Sequence, residues 1–89
     1  METPRPVIRD GNNKLVENYT HDEWFAKIME EVFEAHEADD KESLGYELAD
    51  IITVCTSYLN ALGYDERACA EFYRHVNFKN EQRGYFEED

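Results

Sequence analysis

The chain has 89 residues, 21 of them acidic and 9 basic, which gives a formal net charge of −12. This length allows a single domain with a modest core, so self-association would stabilise it. The acidic excess argues against binding to nucleic acid through a general basic surface, and an aromatic content of 13% argues against disorder.

Three helices are predicted in chain order, and no strand pattern competes with them. Residues 1–19 carry both prolines, so we expect an extended arm or short loop there. Thr20 and Glu23 match a capping box, which predicts that the first helix begins after Thr20. Asp40 would cap the second helix, and Gly63 would end it. The predicted elements are an arm over residues 1–19, helices from Thr20 to about Ala38, from Lys41 to about Leu62 and from Asp65 to about Arg83, and an acidic tail over residues 85–89.

Apolar residues at helical spacing mark the buried side of each helix. The second helix has a broad apolar face, and Met29 and Phe33 lie on a different side of the first helix from its main stripe. In the third helix the residues expected to face inward are Ala68, Phe72, Tyr73 and Val76. The predicted fold class is all-α: a small bundle of about three helices per chain, completed by oligomerisation.

The sequence predicts neither a membrane span nor a signal peptide. No apolar run approaches the ~20 residues that cross a bilayer, and the N-terminal residues lack an apolar stretch. Cys55 and Cys69 lie among apolar residues without CxxC spacing, which favours reduced thiols in the core. We therefore expect a cytoplasmic protein with no membrane or nucleic-acid partner.

Two acidic pairs lie in mirror-image positions around the turn predicted at residues 39–42. The first pair is Glu31 and Glu34, and the second is Glu47 and Asp50. Residues three apart share one face of a helix. In an antiparallel hairpin Glu31 would face Asp50 and Glu34 would face Glu47, so four carboxylates would meet roughly 10 Å from the turn. Such crowding is unfavourable without a cation, and we expect Mg²⁺, with Mn²⁺ as the alternative ion.

The alternative interpretation of these acids is a solvated helix face. A chain with 21 acidic residues contains such spacings by chance, and each pair taken singly is more often exposed surface than a site. The joint arrangement favours a site, because the acids would line a cleft beside the contact between two helices.

A few cationic and amide side chains complement the acids. Lys27 precedes Glu31 by one helical turn, and Lys79 and Arg83 lie one turn apart in the third helix with Asn80 between them. These groups would bind the phosphates of a metal-bound polyphosphate, Lys as a point charge and Arg as a two-pronged donor. The alternative is that Lys79 and Arg83 complement the dipole at the end of their helix.

The combined pattern resembles the signature of the MazG-like, all-α NTP pyrophosphatase superfamily, EExxE followed by ExxD. Here it is Glu30-Glu31-Val32-Phe33-Glu34, twelve intervening residues, then Glu47-Leu48-Ala49-Asp50, within a domain over residues 20–84. The N-terminal region is shorter than in longer members and lacks a clear preceding helix. The resemblance implies hydrolysis of a nucleoside triphosphate to the monophosphate and pyrophosphate by a homodimer or homotetramer. The implied metal ligands are Glu31, Glu34, Glu47 and Asp50, and the implied phosphate-binding residues are Lys27, Lys79 and Arg83.

For the mechanism we expect Glu34 to orient or deprotonate a water molecule that attacks the α-phosphorus. Lys79 and Arg83 would stabilise the charge that develops on the phosphate oxygens as pyrophosphate leaves. A phosphoribosyl-ATP pyrophosphatase is an alternative, because that related group shares the chemistry. The alternative from a different class is a non-catalytic acidic helical protein that binds a basic partner.

Overall fold

The structure is a computed structural model that describes residues 2–87. Its three α-helices are α1 (His21–His36), α2 (Lys41–Ala61) and α3 (Glu66–Gln82), and the described residues contain no strand. The predicted all-α fold is confirmed. Glu88 and Asp89 of the predicted acidic tail, and Met1 of the arm, lie outside the described residues.

Side-chain caps explain where the helices begin. Thr20 and Glu23 form the predicted capping box, in which each side chain accepts a hydrogen bond from the other residue's backbone N–H at 3.1 Å. Asp40 caps α2 and Asp65 caps α3 by accepting a hydrogen bond from the backbone N–H three residues later. After α2 the chain reverses at Gly63, whose φ of 94° favours glycine.

The arm is more ordered than the sequence predicts. It contains a one-turn 3₁₀ helix, Val16–Asn18, and an isolated antiparallel bridge between Arg9 and Leu15. Asp10 holds this loop together, because its carboxylate accepts the hydroxyl of Tyr19 at 2.7 Å as well as two backbone amides of the loop. The hydrogen bond to Asp10, aided by burial, raises the pKa of Tyr19 to about 12.

A small aromatic core joins the arm to the hairpin of α1 and α2. Trp24 is only 4% exposed and packs with Val54 of α2 and Val16 of the arm. Its ring stacks on Tyr58, with centroids 4.9 Å apart. Ser57, which is 2% exposed, accepts the backbone N–H of Val7 at 2.9 Å and so fixes the start of the arm to α2.

The third helix packs differently from the prediction. It has few contacts with α1 or α2, and none of its residues is buried. Phe72, Tyr73 and Val76 were expected to face inward but are exposed, and only Ala68 is half-buried. The radius of gyration is 15.2 Å, against ~12 Å for a compact chain of this length. The prediction was wrong because only the first half of α3 adjoins the arm and the end of α2.

None of the helices within residues 2–87 combines the length and the apolar character needed to cross a membrane.

Candidate metal and phosphate site

Three of the four predicted carboxylates converge beside the contact between α1 and α2. One carboxylate oxygen each from Glu31, Glu34 and Glu47 lies within 4.8 Å of the other two. The short turn after α1 brings the start of α2 back alongside it, and the three-residue spacing puts Glu31 and Glu34 on one side of α1. We call these three residues the glutamate group.

The members of the glutamate group differ in burial. The Glu31 side chain is only 10% exposed, Glu47 is half-buried and Glu34 faces solvent. The group therefore has a buried floor and an open side, which is the arrangement that a ligand from solvent requires.

Asp50 does not belong to the glutamate group. It lies one turn after Glu47 on α2, is exposed, and has a side chain one methylene shorter than glutamate. The structure brings Glu34 to Glu47, as the mirror-image spacing predicts, and does not include Asp50 in the group. Its role as a metal ligand stays a prediction.

Negative charge is crowded in the glutamate group. Lys27 is the cation beside it, with its ammonium 3.2 Å from Glu31 Oε1 and 3.7 Å from Glu30 Oε2. Burial alone would lower the pKa of Lys27, but the hydrogen bond to Glu31 and the surrounding negative charges raise it overall. The charge of Glu31, together with desolvation and the charge of Glu47, raises the pKa of Glu34. One ammonium thus leaves the crowding only partly compensated.

Two carboxylate oxygens of the glutamate group are buried and have no hydrogen-bond partner. They are Oε2 of Glu31 and Oε2 of Glu47. A buried acceptor without a partner is unfavourable, and for a charged group the cost is larger. A hard divalent cation such as Mg²⁺ takes carboxylate oxygens as its preferred ligands. The donor set and its unpartnered atoms therefore fit such an ion.

The raised pKa of Glu34 predicts a stability effect in metal-free protein. The folded chain holds the carboxyl proton of Glu34 more tightly than the unfolded chain does, where the pKa of this group is 4.5. Ionisation of Glu34 therefore lowers the stability of the folded chain as pH rises above 4.5. Below that pH the group is protonated in both states and the destabilisation disappears. With a chelator present, we expect Glu34→Gln to melt at a higher temperature than wild type at about pH 7 and the gap to close towards about pH 4.5. Equal melting temperatures of Glu34→Gln and wild type at both pH values would contradict the crowding of negative charge.

The predicted phosphate-binding residues of α3 lie apart from the glutamate group. Lys79 and Arg83 are exposed, and neither makes an ion pair with a residue of the 2–87 segment. Arg83 is the C-terminal cap of α3 and lies 5.8 Å from the centre of the Tyr85 ring. Asn80 is half-buried. Since α3 barely contacts the hairpin, a single chain does not bring these residues to the carboxylates.

Two cavities flank α2, and the smaller one adjoins the glutamate group. It has a volume of about 280 Å³, lies beneath the arm and includes Lys27 in its wall. The larger cavity, of about 540 Å³, lies between the arm, α2 and the start of α3, and none of the predicted site residues lines it. The smaller cavity is therefore the one that bears on the chemistry of the glutamates.

The contribution of the arm to this cavity is not apparent from the sequence. Val7, Arg9 and Asp10 line it, although residues 1–19 gave no helix or strand pattern. The available signal was the turn sequence after Asp10, because an Asp that accepts backbone amides two and four residues later orders a loop. That signal indicates an ordered turn but not where the turn packs.

Comparisons of the chain with protein-family models, with curated proteins and with solved structures found no match.

Proposed function

We propose that the chain is a Mg²⁺-dependent nucleoside triphosphate pyrophosphohydrolase of the MazG-like type, releasing the monophosphate and pyrophosphate. The observation that carries the proposal is the side chain of Glu31, which is 10% exposed with an unpartnered Oε2 and shares one small volume with two more glutamates. A solvated acidic surface does not account for a buried carboxylate oxygen without a partner.

Each residue of the site has its own role in this reaction. Glu31, Glu34 and Glu47 hold the cation, with Asp50 one turn away as a further ligand. Bound Mg²⁺ supplies neutralisation of the triphosphate charge. Glu34, the exposed member, is not fully occupied by the cation and is the base that orients or deprotonates water. Lys27 balances Glu31 and contacts the phosphate chain from the same side of α1.

A nucleotide panel tests the proposal directly. The protein is incubated with ribo- and deoxynucleoside triphosphates, with and without Mg²⁺, and pyrophosphate and monophosphate are both measured. We expect equal amounts of the two products from at least one substrate, and none with a chelator present. Release of orthophosphate instead would indicate attack at the γ-phosphorus and contradict the proposal.

A magnesium titration separates this proposal from an acidic protein that only binds a basic partner. An ion that binds only the folded chain raises the melting temperature, and the rise continues with the logarithm of the ion concentration above the Kd. A dispersed acidic surface responds to ionic strength instead. We expect Mg²⁺ to raise the melting temperature well beyond a monovalent salt at matched ionic strength, and Glu31→Gln to remove that difference.

The cations of α3 are proposed to bind substrate phosphates. We expect Arg83→Ala to raise the Michaelis constant, lower the turnover rate, or do both, because a two-pronged phosphate contact is lost. The Mg²⁺ affinity of the substrate-free protein should stay unchanged. Unchanged kinetics with a loss of ~0.3–1 kcal/mol of stability would instead assign Arg83 to the helix end. Lys79 and Asn80 would then lose their proposed role as well.

We further propose that the active form is a homodimer or homotetramer in the cytoplasm, with the free thiols of Cys55 and Cys69 reduced. The expectation that both thiols lie in the core is wrong, because Cys55 is exposed and Cys69 is only half-buried. Few apolar side chains are buried in the single chain, whereas α1 presents a continuous apolar stripe to solvent. That outer stripe of α1 consists of Phe25, Met29, Val32 and Phe33. Soluble monomers rarely expose contiguous apolar patches beyond a few hundred Å², so a second copy is proposed to cover this stripe.

A further inference from the structure

The smaller cavity is a built pocket with apolar and polar walls. Its floor is the aromatic core, where Trp24 and Val54 meet, and its roof is the arm. Its lining residues include Val7, Arg9, Asp10, Gly11, Tyr19 and Lys27. A volume of about 280 Å³ is near the lower end of the ~300–1,000 Å³ that small-molecule pockets span. It suits one end of a nucleotide rather than a whole nucleoside triphosphate.

Lys27 joins this cavity to the glutamate group. It lines the cavity, and its ammonium lies 3.2 Å from Glu31 Oε1. Trp24 in the cavity floor and Glu31 are two helical turns apart on α1, which corresponds to ~10 Å along the axis. Val54 and Glu47 have the same separation on α2. The cavity and the glutamate group therefore lie about two helical turns apart along the contact between α1 and α2, and Lys27 borders both.

The chemistry changes in a definite order along this contact between α1 and α2. At one end the glutamate group fits a cation and, through it, an anion. In the middle Lys27 offers a single positive charge. At the other end the wall is aromatic and aliphatic, and its polar groups include Arg9 and Asp10. This order matches a molecule with phosphates at one end and a flat heteroaromatic group at the other.

We propose that the cavity beneath the arm binds the nucleoside end of the triphosphate whose phosphates reach the glutamate group. This proposal rests on the proposed function, and it makes the arm, which has no catalytic residue, the element that recognises the substrate.

Arg9 and Asp10 retain hydrogen-bonding capacity towards a base. A carboxylate offers about four acceptor sites, and Asp10 uses three of them for two backbone amides and the Tyr19 hydroxyl. Arg9 has five N–H groups, and one of them donates to the carbonyl of Asn13 at 3.0 Å. The arm therefore presents a further acceptor and further donors, which is what the edge of a base requires.

The test compares a phosphate chain with and without a nucleoside. Binding of tripolyphosphate and of α,β-imido nucleoside triphosphates is measured by calorimetry in excess Mg²⁺. We expect at least one nucleotide to bind about tenfold or more tightly than tripolyphosphate. Equal affinity of tripolyphosphate and every nucleotide would overturn the proposal.

Two substitutions enlarge residues of the arm that line the cavity. A Cβ on Gly11 meets no atom within 4 Å, so Gly11→Leu is tolerated by the loop. Val7 is 42% exposed, so Val7→Trp has room at the cavity edge. The matched control is Asn12→Leu, which adds the same side chain at an exposed position of the same loop outside the cavity wall. Circular dichroism checks that each variant keeps its helices.

We define the nucleotide advantage as the affinity for the best nucleotide divided by the affinity for tripolyphosphate. We expect both cavity variants to reduce this advantage to about twofold or less without changing the affinity for tripolyphosphate. The Asn12→Leu control should keep the wild-type advantage. An advantage that survives both substitutions would overturn the cavity assignment and leave the proposed function standing. The proposed function fails in a different way: neither tripolyphosphate nor any nucleotide binds the wild-type protein in Mg²⁺, and the present proposal then falls with it.

Discussion

Glu47→Gln is expected to abolish most pyrophosphohydrolysis while leaving the three helices intact. The substitution keeps the shape of the side chain and removes one of the charges that would hold Mg²⁺. Loss of groups that only support a metal ligand already costs ~10–100-fold in affinity or activity, so loss of a ligand should cost at least ~100-fold. The measurements are Mg²⁺ affinity by calorimetry and turnover on the best substrate of the panel.

The same variant has a second expected signature. Glu47 Oε2 is buried without a hydrogen-bond partner, and its charge contributes to the raised pKa of Glu34. Metal-free Glu47→Gln should therefore melt at or above the temperature of wild type, because repulsion among the glutamates is relieved. A loss of activity caused by unfolding would show the opposite change.

Glu42→Gln is the matched control, since Glu42 lies on the same helix, is exposed, and is outside the glutamate group. It should keep wild-type turnover and wild-type Mg²⁺ affinity. If Glu47→Gln and Asp50→Asn both hydrolysed the substrate at the wild-type rate, the metal assignment would be wrong.

Self-association is the second large effect we expect. Phe33 is 66% exposed and Met29 is 60% exposed on the outer stripe of α1. Covering such side chains stabilises an assembly by ~25 cal/mol per Å² of apolar area removed from water. At micromolar concentration, light scattering should therefore give at least twice the chain mass of 10.5 kDa.

The double variant Met29→Lys with Phe33→Lys should return the mass towards a single chain, because two unpaired charges in an interface are strongly unfavourable. Its helices should persist, since both positions face solvent in the single chain. Phe86→Lys, at an exposed aromatic residue beyond α3, is the control and should keep the assembly. A wild-type mass near 10.5 kDa would contradict self-association.

The local parts of the fold were readable from the sequence. The capping box at Thr20 and the cap at Asp40 rest on interactions between residues three apart, and both are present in the structure. The convergence of Glu34 with Glu47 also followed, because a short turn fixes which residues of the two helices are level with each other.

The packing of distant segments was not readable in the same way. The apolar residues of α3 predict a buried side, but periodicity does not say whether that side is covered within the chain or by another copy. The contact between Val7 and Ser57 is also not apparent from the sequence. A single side-chain hydrogen bond between residues 50 positions apart fixes it, and such a bond leaves no periodic pattern. The cavity beneath the arm depends on the same contact, so its lining residues were missed.

The hydrogen bond between Val7 and Ser57 has a consequence for the order in which the molecule assembles. It joins residues 50 positions apart, and the entropy lost on closing so long a loop exceeds that for the short turn between α1 and α2. Contacts between near neighbours form earlier than contacts between distant ones. The hairpin with its glutamates should therefore form first and the arm should dock last. In native-state hydrogen exchange, the Val7 amide should accordingly open more readily than the amides of the hairpin. The arm would then detach from the folded hairpin and pack against it again. A bulky molecule would enter beneath the arm without unfolding the helices that carry the proposed metal ligands.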